Sequence, residues 1–308
     1  MTLPQGNLPG GMPPTTRDLV GYGRNPPDPR WPDGARLALS FVVNVEEGAE
    51  LSLASGDARN ESVYENREEV IGQADPCMET HFAYGARAGI WRILDAFDAH
   101  GMKATFSSCA RAVAANPHLA AAPAEAGHEV SAHGWRWESH ANMPEDQERA
   151  VIAGAVETIA RAAGTRPVGW HTRSASSLNT RRLLLEEGGF LYDSDVYDDD
   201  LPRMAAPGHV ILPYSFDTND MRFSPGGGFV QPEDFSRYCS GAIDWLMREG
   251  KTAPRMLSIG LHLRIIGRPG RMPGLAALLE HVARTPGIWV APRREIAAHW
   301  LKIAQERP

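Results

Sequence analysis

Leu37-Ala-Leu-Ser-Phe-Val-Val-Asn44, running on into Val45-Glu46-Glu47-Gly48, is the stretch that decides the fold. Its apolar character is continuous. A strand with one wet face alternates apolar and polar residues, whereas a strand covered on both faces, as in a parallel sheet, does not. Downstream, Tyr84–His100 carries Ile90, Ile93, Leu94 and Phe97 on one face and stops at Gly101, which is a helix pattern. The same rhythm then repeats. Strands are expected at Lys103–Ser108, Glu129–His133, Pro167–His171, Phe190–Asp195, Val210–Tyr214, Met256–His262 and Ile288–Val290. Helices are expected at Ala110–Ala126 (broken at Pro117), Glu145–Ala163, Thr180–Glu187, Phe235–Glu249, Leu275–Arg284 and Arg294–Gln305.

This makes about eight βα units in one unbroken series, with no linker inside it. An α/β fold follows, and a series this long suits a (β/α) barrel better than an open doubly wound sheet. No Gly-x-Gly-x-x-Gly follows the first strand, which lowers a dinucleotide-binding reading. Upstream, residues 1–16 are rich in Pro and Gly and read as a flexible arm, leaving 17–308 as a single barrel domain. The prolines of Arg17–Pro32 forbid regular structure, while Tyr22 and Trp31 suggest packing against the body. The polar stretch Ala49–Glu79 is too charged for a core element and is expected to be a functional excursion.

The bulk chemistry excludes several partners. A net charge of −7 offers no basic stripe for phosphates, so neither nucleic acid nor an anionic membrane is expected as a partner. No apolar run approaches the roughly 20 residues of a membrane helix. Cys77, Cys109 and Cys239 are far apart and odd in number, which suits free thiols in a reducing compartment. The first residues lack both a charged region and an apolar core, so no signal peptide and a cytoplasmic location are expected.

In a parallel barrel the C-terminal ends of the strands share one mouth. Residues at those ends are Glu46 and Glu47, then His133, His171, Asp193 with Asp195, Asp217 with Asp220, and His262 with Arg264. An acid after a strand is most often a solvated loop residue. The recurrence of such groups at one end of successive strands points instead to acid–base chemistry, in a hydrolase or lyase. Ser131-Ala-His-Gly-Trp-Arg-Trp-Glu-Ser-His140 poses the metal question. A metal site wants a second histidine whose ring converges with that of His133. The fourth residue on is Trp137, which has no lone pair to give, and the next histidine is His140.

Phe41-Val-Val-Asn-Val-Glu-Glu-Gly, Ser131-Ala-His-Gly-Trp-Arg-Trp, Arg166-Pro-Val-Gly-Trp, Tyr192-Asp-Ser-Asp-Val-Tyr and Leu257-Ser-Ile-Gly-Leu-His-Leu-Arg resemble, in order, the motifs of the polysaccharide deacetylase superfamily. Asp18-Leu-Val-Gly-Tyr-Gly-Arg-Asn-Pro-Pro, Tyr84-Gly-Ala-Arg-Ala-Gly-Ile-Trp-Arg-Ile-Leu, Asp217-Thr-Asn-Asp-Met-Arg-Phe and Ile266-Gly-Arg-Pro-Gly-Arg look like its metal-independent allantoinase branch. The resemblance spans nearly everything after residue 17. It implies a distorted (β/α) barrel of about seven or eight strands, of the NodB-homology type. It also implies hydrolysis of a C–N bond in an amide or cyclic amide, and a homo-oligomer such as a tetramer.

The resemblance further suggests roles. Glu46 stands where the metal-dependent deacetylases carry an aspartate, and is the expected base for water. Glu47 and His133 would position water or substrate, and His262 would be the acid for the departing amine. Trp137, Trp170, His171, Arg264, Arg268, Glu79, Asp217 and Asp220 are the expected substrate contacts. No cofactor is expected. Were zinc or another divalent ion bound, Glu47, His133 and His140 would be its ligands. The branch usually continues after Gly169-Trp170 with a Tyr-Thr-Gly-Arg-Thr-Gly segment. Here it reads His171-Thr-Arg-Ser-Ala-Ser-Ser-Leu-Asn179, so the substrate expectation is allantoin or another cyclic ureide or imide. A metal-dependent N-deacetylase and a catalytically silent binding barrel are the alternatives.

Overall fold

The computed structural model of the chain describes residues 17–62, 68–173 and 175–306; the arm expected at 1–16 lies outside them. The chain opens along the body surface, where Trp31 is buried and its indole N–H donates to the Arg255 carbonyl. The predicted first strand, β1 (Leu37–Val45), is buried along its whole length, as a run apolar on both faces requires. It is the hub of the sheet. The neighbours are β2 (Thr105–Ser108), β3 (Glu129–Ala132), β4 (Gly169–Trp170) and β5 (Tyr192–Asp193) on one side, and β8 (Arg255–His262) on the other, all parallel. The last strand, β9 (Ile288–Val290), also pairs with β1, alongside its first residues Leu37–Leu39, while β2 takes Val42–Val45.

The helices return the chain across the outside. They are α1 (Pro76–Tyr84), α2 (Ile90–Ala99), α3 (Ala110–Ala115), α4 (His118–Glu125), α5 (Glu145–Ala163), α6 (Thr180–Glu187), α7 (Pro232–Glu249), α8 (Met272–Arg284) and α9 (Arg293–Gln305). On α2 the stripe Ile90, Ile93, Leu94 and Phe97 is buried against the β1–β8 side, the reason this segment is helical in place.

Two sequence expectations are corrected. The helix expected from Tyr84 starts eight residues earlier, at Pro76 with Asp75 as its N-cap, and passes through a π-helical turn (Gly85–Gly89) before α2. The expected excursion therefore ends before Glu79. The βα series is also interrupted. Between β5 and its parallel neighbour β7 (His209–Ile211) there is no helix but an antiparallel strand, β6 (Arg203–Ala206), at the sheet edge.

Between β7 and β8 no ladder closes the barrel. Residues after β7 bridge the gap: the Gly260 N–H donates to the Thr218 carbonyl at 2.9 Å, and the Thr218 hydroxyl to the Ser258 carbonyl at 2.6 Å. Arg293, at the start of α9 and 2% exposed, donates into the same gap, to Ser194 Oγ, Ser258 Oγ and the carbonyls of Leu212 and Pro213. Arg293 and the residues after β7 together span the gap, while β1 and β8 lie side by side as a parallel ladder. Among the described residues, no helix is long and apolar enough to cross a membrane.

Candidate active site

The register of β1 on β8 puts Asn44 beside His262. Two residues further along, Glu46 emerges on the same interior side, because extended residues two apart share a face. Glu46 is 1% exposed and is gripped from three directions. Its Oε2 accepts from Arg264 at 2.6 Å, and its Oε1 stands 3.4 Å from His262 Nε2 and 3.6 Å from His133 Nε2. Both rings are oriented from behind. His262 Nδ1 donates to Asp220 Oδ1 at 2.6 Å, and Asp220 Oδ2 is pinned by the backbone N–H groups of His262 and Ile266. His133 Nδ1 lies 2.6 Å from the His171 carbonyl, which only accepts, so Nδ1 carries a proton and Nε2 is the atom left facing Glu46.

Charge follows from this packing. Burial alone would push the Glu46 carboxyl up, but His262 and Arg264 more than offset it and hold the group well below its ordinary value. Burial alone would likewise strip His262 of its proton; the carboxylates of Glu46 and Asp220 reverse that and raise its pKa to about 10. Near neutral pH the site is an ionised carboxylate against an imidazolium. His171, stacked on His133 with ring centroids 4.9 Å apart, is pushed well below its usual value by burial and by the neighbouring His133, and is neutral.

Beside this cluster is a narrow cleft of about 30 Å³, walled by Trp137, Phe216 and Met221 and lined by Asn44, Asn219, Tyr214, His171 and Arg173. Trp137 is fixed by the Arg173 guanidinium lying 3.5 Å from its ring centre, and Arg173 in turn forms a two-pronged ion pair with buried Glu61. Gly260 makes room for the other wall: a Cβ there would sit 2.3 Å from Asn219 Nδ2 and 2.4 Å from the Tyr214 hydroxyl.

The structure thus brings together Glu46, His133, His262, Trp137 and His171 of the expected residues, with Arg264 and Asp220 directly behind them. Asp220 is fully buried on His262, so it positions that ring rather than meeting a substrate. Glu47 turns the other way, its Oε2 accepting from the Glu46 N–H and its Oε1 packed on Gly85. Burial raises its pKa to about 7, with Arg264 opposing and the Glu46 charge adding.

Several expected residues stand outside the cleft. Trp170 is wholly buried behind the sheet against Phe190 and His140, donating to Thr172. Arg268 lies over the Tyr84 ring and against His81, and Glu79 accepts from Ser52. Asp217 is held at the surface by Tyr238 and Arg222. Sequence reasoning missed Asn44, Tyr214, Asn219 and Arg173 as cleft residues. Asn44, a polar residue ending an apolar run, was the one legible signal among those missed.

A metal site of the kind the metal-dependent deacetylases carry does not fit these residues. Trp137 holds the place of the second histidine, and Glu47 faces away. His140 is buried with its Nδ1 3.0 Å from Glu148 Oε1. Glu46, His133 and His262 do meet, but around Glu46 Oε1 alone, since Arg264 already holds Glu46 Oε2. Among the described residues, no three His, Cys, Asp or Glu side chains form a group that could hold an ion.

Residues 72–192 match the polysaccharide deacetylase family. A protein of Schizosaccharomyces pombe named for polysaccharide deacetylase is 38% identical over 314 residues, covering 92% of this chain and 97% of the relative. Among solved structures, PuuE allantoinase is 43% identical with a TM-score of 0.88, covering 93% of this chain and 97% of that one. A polysaccharide deacetylase-type protein of Pseudomonas aeruginosa PAO1 is 44% identical with a TM-score of 0.89, over 94% and 98% of the two chains. With a shared curled barrel and near end-to-end coverage at these identities, the chain belongs to the polysaccharide deacetylase family.

Proposed function

We propose that this protein hydrolyses a C–N bond in a cyclic amide, allantoin or a related cyclic ureide or imide, using its own acid and base and no tightly bound metal. The observation that carries this reading is the meeting of Glu46 Oε1 with the Nε2 atoms of His262 and His133, at 3.4 and 3.6 Å. The similarity to PuuE allantoinase supports the substrate class.

In this mechanism, water held at Glu46 attacks the ring carbonyl carbon as one of its protons passes to Glu46 Oε1. The tetrahedral adduct collapses, the C–N bond breaks, and the electron pair leaves with nitrogen, which takes the proton of His262 Nε2. Glu46 then returns its proton to His262 across the gap between them, and both groups regain their starting charge. Arg264 and Asp220 touch neither water nor ring; they hold the base and the acid in place.

The test is an assay of the purified full chain on a panel of cyclic ureides and imides, with and without a chelator. Ring opening that survives chelation and falls by about 10³-fold or more in Glu46→Gln is expected. Release of acetate from N-acetylated sugars, abolished by chelation and restored by zinc, would sink the reading in favour of a metal-dependent deacetylase.

A further inference from the structure

We infer that Asn44 and Tyr214 form a linked acceptor and donor that read the cis amide edge, C=O beside N–H, of a ring substrate. The inference rests on the hydrolytic reading above and adds what the substrate must present.

Hydrogen-bond arithmetic carries it. Asn44 is 2% exposed, and its Nδ2 donates to the Leu261 carbonyl at 3.2 Å and to the Tyr214 hydroxyl at 3.1 Å. A backbone carbonyl only accepts, so the amide cannot be turned round, and Oδ1 is left buried with no partner. The Tyr214 oxygen accepts a second N–H, from Asn219 Nδ2 at 3.1 Å. Asn219 is itself fixed, because its Oδ1 accepts from the Met221 N–H at 2.9 Å. With both lone pairs taken, the Tyr214 proton is free for a third group. An orphaned acceptor and an unspent donor, joined by the Asn44–Tyr214 hydrogen bond, therefore line the same cleft as Glu46 and His262.

Leaving a buried acceptor unpaired is unfavourable, so a ligand that supplies its partner recovers that cost. An open-chain secondary amide is trans, with C=O and N–H on opposite edges. A five-membered ring forces the amide cis and sets the two groups on one edge, where an adjoining donor and acceptor can meet both. Neutral His171, its ring centre 4.5 Å from that of Tyr214 and both its nitrogens unpartnered, adds one donor and one acceptor without charge. A neutral, flat, N–H-bearing ring matches this lining, and an acetamido group does not.

The experiment is calorimetric titration of the full chain, wild type and Glu46→Gln, with hydantoin, 1,3-dimethylhydantoin and N-methylacetamide. Hydantoin is expected to bind at least about tenfold more tightly than its dimethyl form, which lacks N–H, and N-methylacetamide more weakly still. Asn44→Ala should bring the two hydantoins within about threefold of each other, with circular dichroism reporting the fold. Should that variant not fold, Tyr214→Phe, which keeps the ring and loses the donor, should weaken hydantoin by about tenfold. Equal binding of the two hydantoins to wild type, an unchanged ratio in a folded Asn44→Ala, or no hydantoin binding at all overturns the inference. Ring opening without N–H discrimination would leave the hydrolytic reading standing and remove this one. Discrimination with no ring opened would do the reverse.

Discussion

Asp220→Asn tests whether His262 works as an acid by virtue of its partner. In the native protein, Asp220 Oδ1 takes the His262 Nδ1 proton at 2.6 Å while Oδ2 takes two backbone N–H groups, at 2.7 and 3.1 Å. An asparagine keeps one acceptor, and the two backbone donors claim it. The new NH₂ must then face Nδ1, which forces that nitrogen to accept and moves the ring proton to Nε2 of a neutral imidazole. The gap between 6.5 and about 10 is worth about 5 kcal/mol in favour of the native imidazolium, at about 1.4 kcal/mol per pKa unit. Burial works against the proton and the Glu46 charge still supports it, so losing the Asp220 charge and its hydrogen bond together should lower the pKa of the ring from about 10 toward neutrality. The rate should fall about 10²–10⁴-fold. The assay is kcat against pH between 6 and 10 on the best substrate of the panel, with thermal melts of both proteins. Wild type should hold its rate until the pH approaches about 10, while any residual rate in the variant should decline from near or below neutrality. A variant that folds, keeps the native rate and still declines only near 10 refutes the assignment of His262 as acid.

Two further outcomes concern the groups around Glu47. Its folded pKa, about 7, is raised above its ordinary 4.5, so its contribution to stability is full below 4.5 and is lost as pH rises through 7. Glu47→Gln should therefore unfold at higher denaturant than wild type at pH 8, by up to about 3 kcal/mol, and with little difference at pH 4.5; urea titrations at the two pH values decide it. Gly85→Ala should destabilise by about 2–3 kcal/mol, because the new Cβ would lie 2.0 Å from Glu47 Oε1 and 2.8 Å from the Arg264 nitrogen. Adding Glu47→Ala should relieve only part of that loss, since the Arg264 backbone stays in place, and a double-mutant cycle measures the part.

Much of the fold was legible because its signals are local. α5 occupies Glu145–Ala163 as predicted, with acids in its first turn and a left-handed Gly164 after its last residue. The antiparallel β6 escaped notice because Arg203–Ala206 is half exposed and too short to show a period. The early start of α1 was written in Asp75-Pro76, a cap followed by a proline at the first helical position, yet the surrounding charge hid it. The candidate site was legible in one dimension only. Position at a strand end says how far along the barrel a side chain sits, not which way it turns. His140 and Trp170 lie at the right height, and both face the far side of the sheet, around buried Glu148 and Phe190.

The adjacent glutamates show what that missing direction decides. Glu46 and Glu47 leave β1 one step apart, and in extended chain neighbours point to opposite sides. In the sequence they are one acidic pair. In the fold Glu46 enters the barrel mouth among His262, Arg264 and His133, while Glu47 enters a dry seam against Gly85. Both are buried, so desolvation acts on each; only Glu46 has cations close enough to overcome it. One carboxyl is driven well below its usual value and the other up to about 7. Divergent environments of this kind separate catalytic from supporting acids wherever two carboxyls sit together. Here they support the proposed role of Glu46 as base and leave Glu47 as the packed neighbour that anchors the strand end to the π-turn.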